Sequence, residues 1–227
     1  MIISKKKDRP KLIENMKRYD RFYLIGCSEC AALCGTGNED ALKEMADDLK
    51  AAGKTVTGMI VAKTGCQTLG TKVELKKDKD ACDASDCVIV MSCGAGTQSA
   101  VEIFPDKAVY PSNDTLFLGN MTRFQLFDER CSLCGECIIG ETGGICPVTK
   151  CPKNLLNGPC GGTKDGNCEV SPDIKCAWVM IYERHKKLDT LDKMEEIAPP
   201  KDWSHSQRPR NLYAKAPKEN DKAADKK

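Results

Sequence analysis

The chain has 227 residues with 35 basic and 33 acidic side chains, and its net charge of +2 provides no global field that would attract nucleic acid or an anionic membrane. Fifteen cysteines against two histidines argue against imidazole acid–base catalysis and favour metal chemistry. The first residues lack an apolar signal-peptide core, and the longest apolar runs are strand-sized. We therefore expect a cytoplasmic protein without a membrane span, whose thiols bind metal rather than form disulfides.

Strand-like and helix-like segments alternate along the first half of the chain. Residues 1–20 are basic and polar, and we expect them to form an amino-terminal arm. An amphipathic helix capped by Asn38 follows the first of three predicted strands, which cover residues 21–26, 55–61 and 87–92. Weaker strands are expected near residues 108–110 and 115–118. The alternation predicts a small parallel, doubly wound, flavodoxin-like α/β domain over residues 21–120.

Five cysteines come at or just beyond the ends of these predicted strands: Cys27, Cys30, Cys34, Cys66 and Cys93. Ligands of doubly wound sheets bind beyond the carboxyl ends of the strands, so we expect these thiols to converge on one metal centre. The first three supply three ligands, and Cys93 or its rival Cys66 supplies the fourth. A redox-active Cys-x-x-Cys pair, Cys27 and Cys30, is the alternative interpretation.

Other small residues of this domain allow a simpler interpretation. Cys82 and Cys87 suit small buried apolar positions. Gly94 and Gly96 follow the third strand like a fragment of a dinucleotide-binding turn, but the G-x-G-x-x-G pattern is incomplete. Their flexibility serves equally well to bring backbone N–H groups close to a cluster sulfur.

Residues 121–198 are predicted to form a loop-dominated, cysteine-rich metal-binding domain that begins with a short helix over 121–130. Its eight thiols, enough for two four-ligand centres, are Cys131, Cys134, Cys137, Cys146, Cys151, Cys160, Cys168 and Cys176. Two-residue spacers between the first three thiols are typical of loops that deliver consecutive ligands to an iron–sulfur cluster, and Gly135 adds backbone freedom there. Zinc ribbons use the same spacings, so zinc is an alternative at one site.

The last segment, residues 199–227, is charged, contains prolines and has almost no aliphatic side chains. On its own such a sequence is extended or disordered. We expect it to lie along a partner protein, while a helix after Cys176 covers the second metal site.

The chain resembles the small iron–sulfur (MetV-type) subunits of the methylenetetrahydrofolate reductases of acetogenic bacteria in four stretches: GCSECAALCGTG, SCGAGTQSAVE, CSLCGECIIGETGGICPVTKCPKNLLNGPCGGTKDGNCEV and CAWVMIYERHKKL. The resemblance implies two or three [4Fe–4S] clusters and no catalytic residues in this chain. It also implies a partner, an FMN-containing TIM-barrel subunit that reduces methylenetetrahydrofolate in the methyl branch of the Wood–Ljungdahl pathway, and allows a further electron-input subunit. The chain would pass electrons to or from that FMN, or serve only as a zinc or iron–sulfur scaffold.

Two other classes of function fit the sequence less well. An autonomous enzyme needs acid–base groups near a pocket, and the sequence offers only scattered candidates such as Glu29 and Glu102. A nucleic-acid-binding zinc module needs a basic face with aromatic side chains, which the balanced charge does not provide.

Overall fold

The computed structural model of the protein describes residues 1–212, and the chain divides into two compact units, with the second beginning at Leu133. The strands of the first unit are β1 (Ile2–Lys6), β2 (Arg21–Cys27), β3 (Thr55–Ala62), β4 (Cys87–Met91), β5 (Ala108–Pro111), β6 (Asn113–Arg123) and β7 (Leu126–Cys131). Its helices are α1 (Arg9–Asn15), α2 (Cys30–Leu33), α3 (Glu39–Ala51), α4 (Thr68–Leu75), α5 (Lys79–Ala84) and α6 (Gly94–Ile103).

The predicted parallel α/β sheet is confirmed. Within the described residues it has four strands in the order β3-β2-β4-β5, with every neighbouring pair parallel. Counted along the sheet, this is the beginning of the flavodoxin-like order 2-1-3-4-5, in which the strand order reverses between the first and third strands. Here the reversal falls between β2 and β4, which places their carboxyl ends at the edge where such sheets bind ligands.

Alternating side chains of the central strands build the two faces of this core. Phe22 and Leu24 on β2 pack on one face with α1 and α3, whereas Tyr23 and Ile25 pack on the other with α4, α5 and α6. All four are almost fully buried. Because both faces are covered, the strands read as continuous apolar runs, which is why the sequence predicts them correctly. Asn38 caps α3 as predicted, and its side-chain oxygen accepts a hydrogen bond from the Ala41 N–H at 3.1 Å.

A second sheet of the first unit differs from the sequence prediction. Residues 1–20, expected to be an arm, contain β1 and α1, and β1 pairs antiparallel with β6. Residues 121–130, expected to be a short helix, instead complete β6, turn at Gln125 with φ of 60°, and form β7. The first unit consequently extends past the expected boundary at residue 120. Strand pairing determines the structure of both segments, because β1 pairs with the distant β6 and β6 pairs with the adjacent β7. Local periodicity does not report such pairing.

The second unit has little regular structure among its described residues, in keeping with the loop-dominated domain expected there. Its elements are α7 (Pro147–Lys150), β8 (Asn167–Cys168), β9 (Ser171–Lys175), α8 (Ala177–Leu188) and two short 3-10 helices, Leu191–Met194 and Trp203–Ser206. A small core forms around Cys176, Trp178 and Ile181. The expected tail is described only as far as residue 212, and its remainder lies outside the described residues. Among residues 1–212, no helix combines the length and apolar composition needed to cross a bilayer.

Candidate metal centres

All fifteen cysteines lie among the described residues, and none forms a disulfide with another. Within residues 1–212, no group of three or more His, Cys, Asp or Glu side chains already has the arrangement of a metal site. Four thiols of the first unit lie at or just after strand ends, and four of the second unit line a cavity. Each group is built by different backbone features.

Three strand ends of the parallel sheet lie level with one another. Cys27 pairs with Ala62, the last residue of β3, and Gly26 pairs with Met91, the last residue of β4. Cys93 follows β4 after one residue and begins helix α6 as its cap. The strand ends therefore bring thiols from separate parts of the sequence to one edge, at the reversal of strand order.

Four thiols lie at or just after these strand ends, and we term them the strand-end group: Cys27, Cys30, Cys66 and Cys93. Burial raises the pKa of the Cys66 thiol, and the nearby thiols of Cys93 and Cys27, and more weakly Cys30, raise the pKa of Cys66 further. Thiolates crowded in this way repel one another, and a bound cation relieves that repulsion. A cation bound beside these thiols would therefore lower the pKa of Cys66.

Glycines allow backbone segments to approach the strand-end group closely. The Gly65 N–H donates a hydrogen bond to the Cys27 Sγ at 3.3 Å. A methyl group at Gly96 would lie 2.4 Å from the Ser92 Oγ and 3.3 Å from the Gly65 carbonyl carbon. A methyl group at Gly94 would make only an ordinary contact, at 3.5 Å from the Thr115 Oγ1. Gly96 is thus needed for close packing of α6 against the turn that carries Cys66.

Cys34, expected in the same set, lies elsewhere. It ends α2, and its Sγ is 3.9 Å from the Ile2 carbonyl oxygen of β1. Its side chain lines an open groove with residues of β1 and the β6–β7 hairpin. The structure thus places Cys66, the rival candidate, with the strand-end group, and turns Cys34 toward the antiparallel sheet.

Cys82 and Cys87 lie inside the two apolar cores of the first unit. Burial raises the pKa of the Cys87 thiol to about 12, and burial also raises the pKa of Cys82. These thiols stay protonated at neutral pH and act as small apolar side chains. This agrees with the interpretation of both residues from the sequence.

In the second unit, four thiols line one small cavity, which we term the thiol cavity: Cys151, Cys160, Cys168 and Cys176. The cavity holds about 10 Å³, close to the space occupied by one water-sized sphere. The indole of Trp178 forms part of the wall and donates a hydrogen bond to the Leu155 carbonyl at 3.1 Å. Leu155 lies between the first two cysteines of the set, so this bond ties their loop to α8.

Turns and element ends deliver these four thiols. Cys151 follows α7, and its N–H donates to the Pro147 carbonyl at 2.9 Å. Cys160 stands between Gly158 and Gly161, whose φ angles of 95° and 82° are open mainly to glycine. Cys168 ends β8, and Cys176 begins α8 as its cap. Four segments of the second unit therefore meet at the cavity, so the site is assembled by folding and not by one short sequence motif.

The remaining candidate thiols occupy a strand end, two loop positions and a helix cap. Cys131 ends β7 in the first unit. Cys134 and Cys137 lie in a loop of the second unit, where Leu133 and Gly135 have φ angles of 58° and 86°. Left-handed residues in such turns aim neighbouring N–H groups into a concave surface that suits anionic sulfur. Cys146 caps α7.

A basic segment not expected from the sequence contacts this loop. Residues 201–210, which we term the strap, include Lys201, whose side chain is 2% exposed. Its Nζ donates to the Glu136 carbonyl oxygen and lies 3.5 Å from the Glu136 carboxylate. The sequence signal for these contacts is weak, because KDWSHSQRPR reads as a solvated basic tail apart from its tryptophan.

Part of the chain is similar to a known protein family. Residues 110–204 are similar to part of an oxidoreductase. Specifically, residues 110–204 match the family described as methylene-tetrahydrofolate reductase C terminal. The matched stretch begins in β5 and includes all eight cysteines from Cys131 to Cys176. No curated protein and no solved structure matches the chain.

Proposed function

We propose that this chain is an iron–sulfur electron-transfer subunit of a methylenetetrahydrofolate reductase complex, working beside an FMN-containing catalytic subunit. One observation carries the proposal: four cysteines from separate loops and element ends line one cavity inside the stretch that matches the reductase family. A chain that uses thiols only as apolar filler has no need to gather them in polar loops. The family match supports association with the reductase, and the electron-transfer role is our inference.

The strand-end group provides the first proposed centre. Its four thiols lie at or just after the carboxyl ends of β2, β3 and β4, so three strands of a rigid sheet anchor the ligands. The Gly65 N–H that donates to the Cys27 Sγ illustrates the hydrogen bonding that stabilises sulfur as a thiolate. Hydrogen bonds of this type also adjust the reduction potential of an iron–sulfur centre.

The eight thiols further along the chain divide into two proposed sets. The thiol cavity supplies Cys151, Cys160, Cys168 and Cys176. The sequence spacing then leaves Cys131, Cys134 and Cys137 as one closely spaced triple, with Cys146 as the proposed fourth ligand. This division assigns every candidate of the predicted second domain, whereas in the first domain it excludes Cys34.

When bound, a [4Fe–4S] cluster supplies one-electron transfer, which the side chains of this protein do not provide themselves. The chain's own residues hold the thiolates, orient N–H groups toward them and limit access of water. The Trp178 indole and the Leu155 loop perform the last task at the thiol cavity. We place no acid–base group of the folate reaction in this chain.

A structural zinc site is the second candidate for the thiol cavity, and the size of the cavity favours it. A volume of about 10 Å³ accommodates one ion-sized sphere, whereas a four-iron cluster requires the surrounding loops to move outward. Zinc with four thiolates is a closed structural site. In this alternative the chain stabilises the catalytic subunit as a scaffold and carries no electrons through this site.

The metal content of anaerobically purified protein tests the proposal. We expect brown protein with about four irons for each cluster and, under the second candidate, about one zinc per chain. Cys160→Ser should remove the metal of the thiol cavity alone. Cys82→Ser, which alters a buried thiol outside every proposed set, is the matched control and should keep all metal.

Electron transfer itself is tested by adding the purified chain to its FMN partner. Reduced chain should bleach the visible absorbance of the oxidised flavin. Colourless protein that contains no iron would refute the electron-transfer role. Zinc alone, together with intact binding to the partner, would establish the scaffold instead.

A further inference from the structure

The strap covers one face of the loop that carries Cys134 and Cys137, through contacts along most of its length. The Asp202 N–H donates to the Glu136 carboxylate at 3.0 Å, and the Arg210 guanidinium donates to the Leu133 carbonyl at 3.0 Å. At Gly135 a methyl group would lie only 2.6 Å from the Cβ of His205. Gly135 is therefore required for close approach of the strap as well as for its positive φ.

Lys201 is the member of the strap whose charge is least accessible to water. Its ammonium group donates to the Glu136 carbonyl oxygen, and the Cys134 Sγ donates to the same oxygen at 3.5 Å. The ammonium and the sulfur are therefore at most about two hydrogen-bond lengths apart. A charge this close and this buried is only weakly screened by solvent.

Other charges near the loop are more exposed. The Glu136 carboxylate is 46% exposed, and the Asp202 carboxylate, 3.4 Å from the His205 Nε2, is 56% exposed. Arg210 is also exposed. Water weakens the influence of exposed charges much more than that of a buried one. The positive charge of Lys201 should therefore dominate the local field at the Cys134 sulfur.

We propose that Lys201 is a positioning and tuning residue for the metal centre built on Cys134 and Cys137, holding their loop and raising the reduction potential of that centre. This inference rests on the proposed function. A cluster gains one negative charge when it accepts an electron, and a nearby buried cation stabilises that reduced form. The strap thereby makes this centre a better electron acceptor than an identical loop without it.

Redox titration of the full-length anaerobic protein, followed by electron paramagnetic resonance, tests the inference. The relevant signal is the one that Cys134→Ser abolishes. Lys201→Met should keep its iron but lower the midpoint potential of that signal, with about a tenfold fall in the ratio of reduced to oxidised centre at a fixed potential, or about 59 mV for one electron. Lys201→Arg retains the charge and should restore most of the potential.

Lys186→Met is the matched control, because Lys186 is an exposed lysine on α8 of the same unit. Its potential should equal that of the unaltered protein. If Lys201→Met also keeps the original potential, the inference is overturned while the proposed function stands. Absence of iron from the unaltered chain would instead overturn the proposed function.

Circular dichroism establishes that each variant is folded before titration. If Lys201→Met does not fold, Arg210→Met provides the test, because Arg210 is exposed and its loss leaves the core intact. It should lower the potential in the same direction by a smaller amount. An unchanged potential in a folded Arg210→Met protein would then count as refutation.

Discussion

Gly37 offers a sharp test of how the strand-end group is assembled. Its carbonyl oxygen accepts a hydrogen bond from the Cys27 N–H at 3.0 Å, while its α-carbon faces the end of β4. A methyl group at Gly37 would lie 2.2 Å from the Met91 carbonyl oxygen and 2.7 Å from the Ala31 Cβ. The residue therefore sits between the strand that leads to Cys27 and the strand that leads to Cys93.

Gly37→Ala should force these strand ends apart. Ordinary contact with the Met91 oxygen begins near 3.4 Å, so the backbone must move by about 1 Å. Metal–ligand distances tolerate only about 0.2 Å, so the displaced thiols should no longer form one site. Overpacking of this kind costs about 1–3 kcal/mol, which lowers Tm by about 5 °C in a protein of this size.

The assay measures two quantities for each variant: iron and zinc per chain, and Tm by differential scanning calorimetry. Gly94→Ala is the matched control, since Gly94 is adjacent to Cys93 but a methyl group there makes only an ordinary contact. We expect Gly37→Ala to lose the metal of one centre and Gly94→Ala to lose none. Full metal content and an unchanged Tm in Gly37→Ala would refute the proposed convergence of Cys27 and Cys93.

Three further outcomes are expected. Cys66→Ser should remove the metal of the strand-end group, whereas Cys34→Ser should retain it; equal losses in both, measured by metal analysis, would return Cys34 to the ligand set. Chelation with a strong thiol-competitive ligand should release the metal of the thiol cavity and make the second unit sensitive to limited proteolysis before the first, because its described core is small. Ile181→Ala, at a fully buried position, should destabilise the second unit by about 2–5 kcal/mol. A calorimetric trace in which only the transition of the first unit moves would contradict that assignment.

Secondary structure was predicted best where burial produces a recognisable pattern of apolar residues. The strand β4 is a run of five buried residues, and α3 carries both an apolar face and the Asn38 cap. These signals are local, and they predicted the parallel sheet. The alternation of strands and helices then determined which ends of the strands would meet.

The sequence did not predict the features that depend on contacts between separate segments. The polar side chains of β6 and β7 pair with each other, as Thr122 does with Asp128 across the hairpin, so neither strand shows a clear apolar period. Spacing along the chain likewise shows that eight thiols are close in sequence but not which loops meet. The grouping of Cys151 with Cys176 depends on α7 and α8 packing in the second unit.

Cys82 and Cys87 provide an internal reference for alkylation chemistry. Both thiols are shielded by apolar side chains and hold their protons at neutral pH, so iodoacetamide should modify them only after the first unit unfolds. Mass spectrometry of folded protein after chelation would therefore count the other thirteen cysteines as they become reactive. Any label on these two residues marks molecules that had lost their fold, which separates demetallation from denaturation in a single spectrum.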